Sequence, residues 1–232
     1  MEYLVSDAID GERIHLAVGV FGTTLSSKTV WRKLMNERLI LASGSPRRAN
    51  LLRQIGLTFD IVRPDIDETI TIGESAYDYA TRMSESKMAR SRELIGSSSD
   101  RVILCADTIV ILDGDIIGKP TCRDDAVSIL QRMSNRNHQV LSSVTLCETS
   151  SERQRSFMVE TQVTFRALTM QECNVYWETG EPTDKSGSYG IQGLGSIFVS
   201  GINGSPSNVA GLPLMETAGQ LKSFGVDCLA IG

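Results

Sequence analysis

An α/β protein is predicted by three observations. The apolar run Leu39-Ile40-Leu41 breaks into Ala42-Ser43-Gly44-Ser45 and then, from Pro46, into a helical pattern reaching Ile55. Helical spacing through Ala76, Tyr79, Ala80, Met83 and Met88 is followed by an almost unbroken β-rich run from Arg101 to Leu112. Phe157, Val159, Thr161, Val163 and Phe165 alternate with Met158, Glu160, Gln162 and Thr164, the period-two signature of a half-exposed antiparallel strand. Helical and extended periods therefore interleave along the chain.

In chain order, residues 1–38 carry weak periodicity, including the alternating Leu16-Ala17-Val18-Gly19-Val20. They read as an N-terminal extension, disordered in part or supplying an added strand, outside a main domain over 39–232. At the start of that domain Ser45 stands where an N-cap belongs. Pro46 stands at the first helical position, where a missing N–H costs nothing. The free N–H groups of the first turn, the positive end of the helix dipole, and Arg47 with Arg48 would converge on one point and attract an anion such as a phosphate. Two exposed arginines opening a surface helix is the alternative, and neither the Walker spacing nor G-x-G-x-x-G is present.

Gly56 ends that helix, and Phe59 to Val62 reads as a second strand. It runs into Pro64-Asp65-Ile66-Asp67-Glu68, whose crowded carboxylates either share a cation or belong to a solvated acidic loop. A helix over Ser75 to Ile95 carries Lys87 in its second half, and Gly96 to Asp100 stops it. Within Arg101 to Leu112 a single carboxylate, Asp107, interrupts an apolar strand. Burying it ionised costs several kcal/mol unless it is paired or ligated, so a strand end or bend beside a cation is expected, with a structural salt bridge as the alternative.

Asp113-Gly114-Asp115 signals a hairpin, and Gly118-Lys119-Pro120 suits either a positioned cation or an ordinary turn. A helix over Asp124 to Met133 precedes two strands, His138 to Cys147 and Arg155 to Phe165. His138, at a strand edge, reads as a structural hydrogen-bonder rather than a ligand. A helix over Thr169 to Thr179 leads into Glu181 to Ser196. That segment holds four glycines beside Asp184, Lys185, Tyr189 and Gln192, and loops so long tend to be functional when they are ordered. A strand from Phe198 to Ile202, a turn at Asn203-Gly204 and a final helix to Phe224 complete the chain.

Composition narrows the chemistry. The 232 residues carry 41% hydrophobic and 22% charged residues, ordinary for a globular protein, and a formal charge of −5 that argues against a general nucleic-acid binder. The 5 cysteines are odd in number and lack any C-x-x-C pair, which points to neither a disulfide framework nor a zinc ribbon and favours a reducing compartment. With 2 histidines, most His-based metal sites and a Ser-His-Asp triad are disfavoured. No apolar run approaches a membrane span, and the acidic N-terminus resembles no secretory or transit signal, so the cytoplasm is the expected location.

Taken together, Ser43-Gly44-Ser45-Pro46-Arg47-Arg48, Asp67-Glu68, Ala106-Asp107-Thr108, Gly118-Lys119-Pro120, Asp184-Lys185-Ser186-Gly187 and Tyr189-Gly190-Ile191-Gln192-Gly193 resemble the Maf family of nucleoside triphosphate pyrophosphatases. The resemblance runs from Leu39 to Phe224, and the Ala-Asp-Thr and Gly-Ile-Gln-Gly forms are similar to the branch acting on dTTP and UTP. It implies an elongated mixed β-sheet flanked by helices, two lobes around a deep cleft, a divalent cation (Mg²⁺ or Mn²⁺), no nucleic-acid or membrane partner, and frequently a homodimer. It places the catalytic base on Asp107, phosphate and metal contacts on Ser43, Arg47, Arg48, Glu68, Lys87 and Lys119, and base choice on Arg47, Thr108 and Gln192. Three departures stand out: the extension, Pro206 and Ala210 where tyrosine and valine are more usual, and Asn135 where glycine is more usual.

These residue types suit that chemistry. A triphosphate brings roughly four negative charges, and hydrolysis at the α-phosphorus adds more to the leaving diphosphate, so catalysis is mostly positioning and charge stabilisation. Glu68 and Asp107 would hold the metal, and Asp107 would take the proton from water. Gln192 can both donate and accept toward a pyrimidine imide edge. A non-catalytic nucleotide-binding regulator of cell division is the competing reading. It has no need for Asp107 and Glu68 beside the cations. A phosphomonoesterase needs fewer cations than are present.

Overall fold

The structure, a computed structural model, describes residues 4–9, 12–17, 38–96, 100–151 and 153–229. In the N-terminal extension β1 (Leu4–Ile9) and β2 (Glu12–Ala17) pair antiparallel as a separate two-stranded ribbon. The expected alternating run continues past it into Val18 to Val20, which lie outside the described residues.

The buried run β3 (Leu39–Ala42) is followed by α1 (Pro46–Gln54), β4 (Asp60–Val62), α2 (Ala76–Ile95) and β5 (Val102–Leu112). Helical crossovers let β3 pair in parallel with both β4 and β5. A hairpin then returns β6 (Asp115–Ile117) onto β5, and α3 (Arg123–Met133) leads to β7 (Asn137–Glu148), β8 (Gln154–Phe165) and α4 (Met170–Glu178). Three short 3₁₀ turns (Glu181–Asp184, Ser186–Ser188 and Leu194–Phe198) lie ahead of β9 (Val199–Asn203), α5 (Pro206–Val209) and α6 (Leu214–Ser223). The result is an open, mixed seven-stranded sheet in the order β4-β3-β5-β7-β8-β9, with β6 on β5. Asn135 has φ 57°, the left-handed region that asparagine tolerates best after glycine.

The sheet is split at its waist. β3 pairs with β5 only as far as Ala42 opposite Cys105, and β6 takes the same edge from Val110 onward. Ala106 to Ile109 therefore have no strand partner on that side among the described residues. Each face of β5 is interrupted at the same place. On one face Val102, Leu104 and Ala106 join one core cluster and Val110 and Leu112 another, with Thr108 between them. On the other, Ile103 and Cys105 are separated from Ile109 and Ile111 by Asp107. Asp107 thus lies in mid-strand, contrary to the expected strand end or bend. The opening beside it comes from the end of β3 and not from any break in β5.

The amphipathic α2 lies along the Asp107 face. Tyr79, Ala80 and Met83 pack with Ile109 and Ile111, Met88 packs with Ile103 and Cys105, and Lys87 falls opposite the interruption. No helix among the described residues is long and apolar enough to cross a membrane.

His138 is buried edge-on against Phe165 and Tyr189, and its Nε2 shares a 2.9 Å hydrogen bond with the Tyr189 hydroxyl. Burial pushes its pKa from 6.5 down to about 4. The unfolded chain therefore takes up a proton as pH falls through 6.5 while the folded chain does not. Stability is full above that pH and declines toward pH 4, by at most about 3 kcal/mol. Urea midpoints measured between pH 7 and 5 should fall for the wild type and fall distinctly less for His138→Gln. Parallel slopes would show that His138 is not the acid-sensitive group.

Candidate active site

The cleft opens at the waist, beyond the carboxyl end of β3, where the strands flanking a sheet part and ligands commonly bind. It encloses about 730 Å³, and Ser43, Arg47, Arg48, Glu68, Lys87, Asp107, Thr108, Lys119 and Gln192 all line it. Residues spread from 43 to 192 in the chain are thereby brought together, within the size range of pockets for one small molecule.

The loop after β3 builds one wall. The Ser43 hydroxyl accepts the Ser45 N–H at 3.1 Å and Arg48 Nη1 at 3.2 Å. Arg48 turns inward: Nε donates to the Gly211 carbonyl at 2.9 Å and Nη2 to the Thr108 hydroxyl at 3.2 Å. The Thr108 hydroxyl is joined as well to Ser142 Oγ at 2.7 Å and to the Gly211 carbonyl at 3.1 Å. Arg47 points elsewhere and pairs with Asp184 at 2.8 Å across the cleft. The expected convergence of the two arginines is therefore corrected, because successive helical residues project about 100° apart. Burial lowers the Arg48 pKa, opposed by the charge of Asp107.

The floor is an ammonium between two carboxylates. Lys87 Nζ lies 2.6 Å from Asp107 Oδ1 and 2.8 Å from Glu68 Oε1. Neither Asp107 Oδ2 nor Glu68 Oε2 has a hydrogen-bond partner among the described residues. Burial pushes the Glu68 carboxyl up, but Lys87 and the charges of Lys119 and Arg48 outweigh it and hold it below its ordinary value. The Tyr79 hydroxyl donates to the Glu68 carbonyl at 3.0 Å, which fixes the acidic loop onto α2. Burial, with the negative charges of Asp107 and Glu68, pushes the Tyr79 pKa up to about 12. The three neighbouring carboxylates do not share one cation. Asp67 instead accepts from the Thr69 N–H and hydroxyl, and only Glu68 reaches Lys87.

At the opposite rim, the exposed Lys119 and Gln192 side chains make no hydrogen bond or ion pair among the described residues. Sequence reasoning did not name Arg63, Glu181, Asp184 or Lys185 as site residues, yet all four line the cleft. Arg63 could have been found from its place just past the carboxyl end of β4. Asp184 and Lys185 stood in the glycine-rich stretch without a stated role.

Charge decides what the cleft can accept. Arg47, Arg48, Arg63, Lys87, Lys119 and Lys185 face Asp65, Glu68, Asp107, Glu181 and Asp184, so the lining is close to neutral. A polyanion would need added positive charge there. No group of three or more His, Cys, Asp or Glu able to hold a metal occurs among the described residues. Glu68 and Asp107 with free oxygens nonetheless suit a hard divalent cation, which commonly takes one or two carboxylates and completes its shell from substrate phosphates and water.

A family model described as Maf-like protein matches residues 38–224. The chain is 48% identical over 187 residues to a protein named dTTP/UTP pyrophosphatase from Vibrio vulnificus, covering 81% of this chain and 98% of that one. It is 46% identical over 189 residues to one of the same name from Hahella chejuensis, covering 82% and 93%. Among solved structures it is similar to a nucleoside-triphosphatase, dITP/XTP pyrophosphatase, from Mycobacterium abscessus, at a TM-score of 0.39 and 13% identity over 80% of this chain and 96% of that one.

Proposed function

The chain belongs to the Maf-like protein family, and from that membership we propose that it is a nucleoside triphosphate pyrophosphatase converting dTTP and UTP to the nucleoside monophosphate and diphosphate. The observation that carries the reading is one cleft in which Lys87 sits between Asp107 and Glu68 while the Lys119 cation and the Gln192 carboxamide stay free.

In this reaction water attacks the α-phosphorus, the bond to the bridging oxygen breaks, and diphosphate leaves. Asp107 takes the proton of the attacking water on Oδ2, while Lys87 holds Oδ1 and so fixes the carboxylate plane. Lys119, Arg47 and the amide groups opening α1 take the triphosphate oxygens, with Arg47 exchanging Asp184 for phosphate. Arg48 has three of its five N–H groups engaged by Gly211, Ser43 and Thr108, so it holds the wall and keeps its charge and two N–H groups for the phosphates. A divalent cation, Mg²⁺ or Mn²⁺, held by Glu68 and Asp107 would supply the positive charge that the near-neutral lining lacks.

Gln192 reads the base. A carboxamide offers one acceptor and two donors, which matches the imide edge of uracil or thymine. Gln192→Ala is expected to raise KM for UTP and dTTP about tenfold and to blunt selection against other bases; steady-state kinetics on a panel of triphosphates gives the answer, and unchanged selectivity would remove Gln192 from the pocket. The same panel with Mg²⁺ or Mn²⁺, scoring diphosphate and orthophosphate separately, tests the activity itself. Diphosphate identifies the pyrophosphatase, orthophosphate a phosphatase, and neither a nucleotide-binding regulator. The proposal includes a cytoplasmic location, supported by five free thiols, an extension over 1–38 apart from the catalytic domain, and a homodimer, which sedimentation would test.

A further inference from the structure

We infer that Glu181 is a positioning residue that holds the turn carrying Gln192, and that it sets base selectivity through that turn; the inference rests on Gln192 reading the base. The Glu181 carboxylate accepts the Leu194 N–H through Oε2 at 2.8 Å and the Gly195 N–H through Oε1 at 3.0 Å. Oε1 also accepts the Tyr176 hydroxyl at 2.8 Å, and that hydroxyl accepts the Gly190 N–H at 3.0 Å. Both ends of the segment Gly190 to Gly195 are therefore tied to one carboxylate, and Gln192 stands between the ties. Inside the segment the Gly193 N–H donates to the Gly190 carbonyl at 3.3 Å, closing a turn with Ile191 and Gln192 at its tip. Ile191 packs against the two core clusters that meet at the waist.

The glycines of this stretch are required by close approach to the same pair. A Cβ on Gly193 would collide with the Glu181 carboxylate, one on Gly190 would lie 2.8 Å from Glu181 Oε1 and equally close to Lys185 Cε, and one on Gly195 2.6 Å from the Tyr176 hydroxyl. The segment is a close wrap around a carboxylate and not a flexible loop. Burial pushes that carboxyl up, but the Gly195 N–H, the Tyr176 hydroxyl and the Leu194 N–H outweigh it and keep it below its ordinary value, hence ionised at neutral pH. Three donors converge on an acceptor-only group. Glutamine in its place would turn an amide N–H toward a backbone N–H.

Glu181→Gln is expected to raise KM for UTP about tenfold, to lower kcat less than about threefold, and to reduce the preference for UTP over CTP about tenfold. In a Gln192→Ala background the same substitution is expected to change the preference little, because the turn no longer carries the reader. If Gln192→Ala lowers the preference and Glu181→Gln does not, the inference falls and the base assignment stands. If Gln192→Ala leaves the preference unchanged, the base assignment itself fails and takes the inference with it. A Glu181→Gln loss that persists undiminished in the Gln192→Ala background also overturns it, in favour of a general structural role. Should circular dichroism show Glu181→Gln unfolded, Tyr176→Phe, which removes one tether, is measured the same way with an expected loss of about threefold.

Discussion

Asp107→Asn is expected to lower kcat for UTP by about 10²- to 10⁴-fold, the usual cost of losing a general base. The substitution keeps the shape of a residue that is 9% exposed and removes the oxygen that accepts the proton. Lys119, Arg47 and Glu68 stay in place, so KM should change less than kcat. Steady-state kinetics with a parallel melting curve separates loss of chemistry from loss of fold. Retention of more than about a tenth of kcat would be too mild for a general base and would move the proton-accepting role to another group.

Lys87→Met is expected to produce the largest loss of stability. Lys87 and Asp107 expose 10% and 12% of their side chains, whereas Glu68 exposes 54%. Removing the ammonium leaves Asp107 as a buried charge without its hydrogen-bonded partner, with only the more distant Arg48 charge facing it, while Glu68 can turn to water. Breaking a buried pair from one side typically costs about 3–5 kcal/mol, which corresponds to a Tm lower by about 10 °C for a domain of this size. The double variant with Asp107→Asn should recover most of that loss, since no unpaired charge remains. Urea denaturation of the two single variants and the double closes the cycle. A cost for Lys87→Met of less than about 1 kcal/mol would mean that Asp107 is already hydrated.

Much of the fold was legible because it depends on short-range pattern. The helix starting at Ala76 carries its own cap, Ser75 accepting the Asp78 N–H, and the one starting at Pro46 has proline at its first position, although Ser45 stands at the N-cap without a side-chain capping bond; the β8 alternation is a property of neighbouring residues. Asp107 was recognisable for the same reason: a carboxylate inside an apolar strand is conspicuous without knowing what surrounds it. His138 was legible as a structural hydrogen-bonder, and it lies buried on the Tyr189 hydroxyl. The partners were less legible. Arg47 and Arg48 are adjacent in the chain and were expected to act at one point, yet one reaches Asp184 and the other Gly211. Asp65, Asp67 and Glu68 looked like one cluster, yet Asp67 binds Thr69 and only Glu68 reaches Lys87.

By itself, then, the sequence determined the alternation of helices and strands, the isolated carboxylate in β5 and the glycine-rich segment opposite it, because each is written in residues a few positions apart. Only the tertiary structure decided where the sheet opens, because that depends on β3 ending opposite Cys105 and β6 ending opposite Val110 on the same edge. It alone put Lys87 between Glu68 and Asp107, and Glu181 beneath the turn of Gln192. Those contacts join distant segments, and their geometry is set by which strands share an edge and which helix face covers it, and neither is encoded in local periodicity.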